Sequence, residues 1–257
     1  VGRYKEKEEL ENILNLYVEP HYSAICVPGL EGIGRRTFLR KFFEEKHMLN
    51  TSNEPILCSL SNRSSIDNLI LSLLKYQKDN ISGDDLAELD SKSIGEKTIF
   101  LQSLFKSLAN ENEYIFIIDD GCIVRPTMEV CDWFVKAIDI PELQDCFYIS
   151  VISRFRPSHK FLSYHDNFIS ISIDALSVPE VKNLFMGYGK ALELTTSPKY
   201  SEILSTLNGI PSQVYYAVEY IQRFGIDSAI RNKNLILDYG DKPVMSIIAD
   251  IKERGEE

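Results

Sequence analysis

The run Tyr114-Ile115-Phe116-Ile117-Ile118 is apolar at every position and stops at Asp119-Asp120. A strand with one wet face alternates apolar and polar side chains. A run without alternation suits a strand covered on both faces, as in a parallel sheet between layers of helices. Similar short runs occur at Ser23-Ala24-Ile25-Cys26-Val27, Pro55-Ile56-Leu57-Cys58-Ser59-Leu60, Phe147-Tyr148-Ile149-Ser150-Val151-Ile152 and Phe168-Ile169-Ser170-Ile171. Between them, apolar residues recur at helical spacing: Leu10, Ile13, Leu14 and Tyr17 before Pro20; Phe38, Leu39, Phe42 and Phe43; Ile66, Leu69, Ile70, Leu73 and Leu74; Leu101, Leu104, Phe105 and Leu108; Val130, Trp133, Phe134 and Ile138. Residues 78–96, rich in Asp, Ser and Gly, read as a surface loop. This alternation predicts a doubly wound α/β layer up to about residue 173. Beyond it only helical patterns remain: Val178, Val181, Leu184 and Phe185; Ile203, Leu204 and Leu207; Val214, Ala217, Val218 and Ile221; Val244, Ile247, Ile248 and Ile251. The expected division is an α/β core over 1–173 and a small helical lid over 174–257.

The chain has 257 residues, 44% of them hydrophobic and 26% charged, enough to bury a core and to exclude disorder throughout. Its 28 Lys and Arg against 38 Asp and Glu give a formal charge of −10, which argues against nucleic acid or anionic lipid as the main partner. Cys26, Cys58, Cys122, Cys131 and Cys146 are odd in number and form no Cys-x-x-Cys pair. No His among His21, His47, His159 and His165 stands at zinc-ligand spacing, so the cysteines read as reduced core thiols. No apolar stretch nears the roughly 20 residues that cross a bilayer, and no signal peptide is visible. A cytoplasmic protein away from membranes is expected. A first residue of Val rather than Met suggests a piece of a longer chain.

The segment Gly29-Leu30-Glu31-Gly32-Ile33-Gly34-Arg35-Arg36-Thr37 follows an apolar run and precedes a helical pattern. Its outer glycines fit the phosphate-loop spacing G-x-x-x-x-G-K-[ST]. Such a loop holds phosphates with backbone N–H groups and the positive end of the following helix. Glycine serves where the backbone bends sharply or touches an oxygen. Two positions depart from the pattern. Arg35 replaces the lysine and keeps its charge in a different geometry. Arg36 replaces the hydroxyl that would hold Mg²⁺, and a guanidinium cannot ligate a metal. Thr37 can still donate to a phosphate. Taken alone, the loop also fits a glycine-rich turn that binds nothing.

Ile115-Phe116-Ile117-Ile118-Asp119-Asp120 adds a Walker B form, in which the first Asp supports Mg²⁺ and the second polarises water. Weaker signals are Val1-Gly2-Arg3, Ser153-Arg154 at a strand end, and Gly209-Ile210-Pro211 ahead of a helix. In this order the motifs resemble the NB-ARC branch of the STAND signal-transduction NTPases, over Val1 to about Phe224. These are the nucleotide-binding cores of plant resistance proteins, apoptosome scaffolds and bacterial antiphage sensors.

The resemblance implies that Val1 and Arg3 lie along adenine and ribose, and that Gly32, Gly34, Arg35, Arg36 and Thr37 form the phosphate loop. It implies Asp119 as metal support, Asp120 as the catalytic carboxylate, Arg154 as a sensor arginine near the γ-phosphate, and Pro211 as the lid residue packing on adenine. It also implies ADP or ATP as ligand, self-association on activation, an N-terminal effector and a C-terminal sensor domain. The His-containing motif of a following winged-helix domain is not found before Glu257. Because the metal position is compromised, Arg36 is expected to pair with Asp119 and fill the site from within, leaving a degenerate core with little or no hydrolysis. The alternatives are a scaffold that binds no nucleotide and a working ATPase of the DNA-loader type. The Tyr215-Tyr216 pair and Trp133 are read as packing residues.

Overall fold

A computed structural model describes residues 2–15, 22–46, 54–78, 81–144 and 148–255. Tyr17, Pro20, His21, His47, Cys146 and Phe147 lie outside the described residues. In chain order the elements are α1 (Tyr4–Leu14), β1 (Ala24–Cys26), α2 (Arg35–Glu45), β2 (Ile56–Leu60), α3 (Ile66–Gln77), α4 (Gly83–Ser91), α5 (Ile94–Asn110), β3 (Ile115–Asp119), α6 (Asp132–Ile138), β4 (Ile149–Ser153), α7 (His159–Tyr164) and β5 (Phe168–Ser170). Five helices follow: α8 (Val178–Ala191), α9 (Tyr200–Leu204), α10 (Pro211–Phe224), α11 (Ile226–Arg231) and α12 (Lys233–Gly255).

The chain forms two compact units. The larger holds residues 6–29 and 36–172; the smaller holds 1–5, 30–35 and 173–257.

In the larger unit the strands make one parallel sheet in the order β2-β3-β4-β1-β5. All five residues of β4 and all three of β1 are buried, so the sheet centre is covered on both faces, as the unalternating runs predict. At the sheet edge β2 alternates buried and exposed residues instead, which leaves Leu57 half-exposed. Onward connections from the neighbours β1 and β4 leave in opposite directions, to β2 and to β5. That reversal marks the place at the carboxyl ends of the strands where open α/β sheets gather their functional loops.

The core is built from helical stripes laid on this sheet. Ile66, Leu69, Ile70, Leu73 and Leu74 of α3 are buried at i, i+3, i+4, i+7 and i+8. They share one cluster with Leu101 and Phe105 of α5 and Phe134 of α6. Burying each such side chain contributes about 1.5–3 kcal/mol. Cys26, Cys58, Cys122 and Cys131 are buried, and burial pushes the Cys58 and Cys122 thiols up to about 12, so both stay protonated and inert.

One expectation fails in this unit. The stretch expected as a loop forms α4 and the start of α5. Ser82 with Asp85, and Ser93 with Glu96, each build a reciprocal capping box, so the polar residues that suggested a loop start helices. Leu89 anchors α4 in the core. No helix among the described residues is long and apolar enough to cross a membrane.

The smaller unit has its own core of Val181 and Phe185 from α8, Tyr200 and Ile203 from α9, Val214, Ala217, Val218 and Ile221 from α10, and Ile236 from α12. Tyr216 stacks on Tyr239 at 4.4 Å, and Tyr215 meets Tyr188 edge-on.

Candidate functional site

In the larger unit, three strand ends carry the sequence signals. β3 ends in Asp119 and β4 in Ser153, and these two residues are register partners. The turn after β1 is tied in by Gly29 N–H donating to Ser153 O at 3.1 Å.

Asp119 is 1% exposed. Its Oδ1 accepts from Cys122 N at 2.8 Å and Ile123 N at 2.7 Å. Its Oδ2 accepts from Val124 N at 3.0 Å and from the Ser153 hydroxyl at 2.9 Å. A carboxylate has about four lone-pair sites, and the chain's own donors occupy all of them. Burial raises the Asp119 pKa, opposed by those hydrogen bonds. The local reason is the turn at Gly121, which folds the chain back so that three successive amides face the strand end. Gly121 has φ +100°, and a Cβ there would meet the Phe155 ring at 3.1 Å, so only glycine turns at this point.

The expected Arg36–Asp119 pair does not form. Arg36 is exposed, and its place is taken by backbone amides and Ser153. The role of metal support for Asp119 fails for the same reason. Mg²⁺ does not fit these residues, since Arg36 stands at the hydroxyl position and the Asp119 lone pairs are filled. Among the described residues, no group of three or more His, Cys, Asp or Glu is placed to hold a metal.

Asp120 is half-exposed and pairs with Arg154, whose Nη1 donates to Oδ1 at 3.0 Å; the side chains are 49% and 16% exposed. Arg154 also lies over the Phe155 ring at 5.6 Å. The Asp120 Oδ1 that would orient a water is engaged by Arg154, which blunts the catalytic role expected of it.

The smaller unit gathers Arg3, Gly32, Gly34 and Pro211. Arg3 has φ +67°, a left-handed conformation that costs a non-glycine residue about 1–3 kcal/mol. Three contacts hold it there. Its backbone N–H donates to Glu180 Oε1 at 3.3 Å, Nη2 donates to Ile33 O at 2.9 Å, and Nη1 donates to Asp174 O. Glu180 is fixed by the capping box it forms with Ser177 at the start of α8. Gly32 has φ +78°, and a Cβ there would fall 2.0 Å from Ser212 Oγ. Its carbonyl accepts from Ser212 N at 3.2 Å. The Pro211 ring is 3.9 Å from the place a Cβ would take on Gly34. Arg35 opens α2 and is partly buried, while Thr37 is exposed. The first amides of a helix have no intrahelical acceptor and lie at its positive end. Val1 lies outside the described residues.

Sequence reasoning missed Ser212, Ser153 as a partner of Asp119, and Glu180. Only Glu180 carried a local signal, the Ser177-x-x-Glu180 spacing. A cavity of about 920 Å³, lined by Gln102, Trp133, Lys136 and Tyr164 on α5, α6 and α7, contains no residue of the glycine loop and neither Asp119 nor Asp120.

No family model matches the sequence, and no curated protein matches it. Solved structures do. The Walker-type ATPase PABY2304 of Pyrococcus abyssi is similar over 98% of this chain and 76% of its own length, with 17% identity and a TM-score of 0.55. Cdc6p from Pyrobaculum aerophilum is similar at 13% identity with a TM-score of 0.53, over 87% of this chain; the chain spans 62% of that protein. AMPPCP-bound DnaA from Aquifex aeolicus is similar at 14% identity with a TM-score of 0.50, over 93% of this chain and 68% of its own.

The expectation that nucleic acid is set aside does not hold on charge alone: a net −10 is no bar to a local basic surface. Net charge is a sum over the whole chain, whereas a phosphate backbone needs only a local excess of Lys and Arg. What these proteins share with this chain at 13–17% identity is architecture: the chain has the fold of the Walker-type P-loop ATPases.

Proposed function

We propose that the chain is the nucleotide-binding switch core of a STAND-type signalling or antiphage-immune protein of the NB-ARC kind. It retains ADP or ATP without Mg²⁺ and hydrolyses it little or not at all. The observation that carries this reading is the Asp119 carboxylate, filled by four donors of its own chain. In phosphoryl transfer the cation bridges the terminal phosphates and offsets their developing charge. A core with Asp119 filled and Asp120 paired to Arg154 lacks both the cation seat and a free base. The first-turn amides of α2, Arg35 and Thr37 favour holding phosphates over turning them over. The order of motifs supports the remainder of the reading: a core over 1–173 and a lid over 174–257 in a longer cytoplasmic protein.

Calorimetric titration with ADP and ATP, in Mg²⁺ and again in excess EDTA, tests the proposal. Affinities equal within about twofold are expected, with phosphate release no faster than in Asp120→Ala. Arg36→Thr should leave affinity independent of Mg²⁺, because a restored hydroxyl finds no second ligand at Asp119. Binding that requires Mg²⁺ overturns the reading, and no binding in either buffer leaves a scaffold. A second reading, a core of the replication-initiator kind, is favoured by the fold likeness to Cdc6p and DnaA. Salt-sensitive, nucleotide-dependent binding to a labelled single-stranded DNA, read by anisotropy, would select it.

A further inference from the structure

The first turn of α10 touches two different things within three residues. Pro211 lies against Gly34, and Ser212 N–H donates to Gly32 O at 3.2 Å. The next residue, Gln213, turns the other way and is 0% exposed. Its Oε1 accepts from Asn208 N at 2.7 Å, and its Nε2 donates to Ile236 O of α12 at 3.0 Å. A buried primary amide is costly unless both ends are bonded, and here both are. The amide reaches the α12 backbone because Gly240 leaves a gap. A Cβ on Gly240 would stand 2.3 Å from Gln213 Nε2 and 2.6 Å from Cδ. Asn208 Nδ2 adds a bond to Asp241 Oδ1 at 3.1 Å, one residue further along α12. Packing alone accounts for an apolar residue at position 213; it does not account for an amide wedged into a helix backbone opposite a glycine.

We infer that Gln213 is a positioning residue that couples α12 to the glycine loop. A displacement of α12 at Gly240 pushes the amide, breaks its bonds to Ile236 and Asn208, and shifts the rigid turn that carries Pro211 and Ser212. The contacts to Gly32 and Gly34 shift with it. The regulated ligand is the nucleotide of the reading above, on which this part rests. The coupling runs both ways, because a linkage between two sites is reciprocal.

The test is Gly240→Ala, with Met245→Ala, exposed on the same helix, as control. Amide hydrogen exchange is followed without nucleotide. Gly240→Ala should speed exchange in residues 30–36 about tenfold and weaken ADP binding about tenfold, within the usual range for coupled sites. Met245→Ala should do neither. Faster exchange confined to α12 and the Asn208 turn, with the loop unchanged, overturns the coupling. Should Gly240→Ala fail to fold, the wild-type protein decides: ADP must slow exchange at 236–243 as well as in the loop, and an unmoved α12 sinks the inference. If the wild type binds no ADP, the nucleotide reading fails by itself, and nucleotide-free exchange in Gln213→Asn judges the coupling.

Discussion

The glycine loop and the end of β3 both follow buried strands and both carry motif residues of a metal–phosphate site, yet they depart from such a site in opposite ways. At β3 the residue type is retained and its capacity is taken: Asp119 remains an aspartate, but Cys122, Ile123, Val124 and Ser153 fill it. In the loop the residue types themselves change: Arg35 and Arg36 replace the usual pair at the start of α2, whose first-turn amides have no acceptor within the helix. A motif therefore reports chemistry only where its groups are not already satisfied by the chain. By that criterion the Asp119 oxygens are already engaged by the chain, whereas the first-turn amides of α2 have no acceptor within their own helix.

The sharpest way to break this comparison is Asp119→Ala. A carboxylate that exists to hold a metal is a burden on the metal-free fold, and removing it is commonly neutral or stabilising. A carboxylate that organises a turn behaves oppositely. Its loss orphans three buried amides and a hydroxyl, at a cost on the order of 3–5 kcal/mol. Urea denaturation should show that loss with an unchanged slope. A variant as stable as the wild type would place Asp119 back among ligands.

A smaller effect separates Gly32 from Gly34. Gly32 and Gly34 both have positive φ, +78° and +98°, so alanine is strained at either. Only at Gly32 does the new Cβ also meet Ser212 Oγ at 2.0 Å; at Gly34 the nearest atom is Pro211 Cγ at 3.9 Å. Gly34→Ala should cost about 1 kcal/mol from backbone strain, and Gly32→Ala about 2–3 kcal/mol. Adding Ser212→Gly should recover the difference for Gly32→Ala and nothing for Gly34→Ala, as a double-mutant cycle would read. Equal costs for the two glycines would mean that Ser212 does not press on the loop.

The same contrast explains what could be read from the sequence. The strands were legible because burial on both faces removes alternation, as at Ile115, Phe116 and Ile117. The glycine loop was legible because its spacing is local. Helix α4 was not, since Ser82 and Asp85 belong equally to loops and to helix starts, and Leu89 alone shows which applies. The fate of Asp119 could not be read either. Its satisfaction depends on Ser153, 34 residues away, and on a turn whose amides carry no side-chain signature. An opposite-charge partner such as Arg36 is the natural guess from sequence, but nearby backbone donors reach a buried carboxylate without desolvating a guanidinium.

The smallest effect is the pH response of one carboxylate in each unit. Burial holds the Asp119 pKa above its ordinary 3.8, against the pull of its hydrogen bonds. Its contribution to stability is therefore complete below the unfolded value and is lost as pH rises through the folded one. Glu180 runs the other way. The Ser177 hydroxyl, then the Ser177 amide and Arg3, hold it below its ordinary 4.5. Its contribution is present above the unfolded value and is lost as pH falls through the folded one. Carboxyl-carbon NMR titration should find Asp119 protonating above 3.8 and Glu180 below 4.5. A midpoint for Asp119 below 3.8 would mean that its four donors outweigh its burial. The carboxylate would then persist as a stable buried anion, and a cation approaching β3 would still find negative charge to compete for.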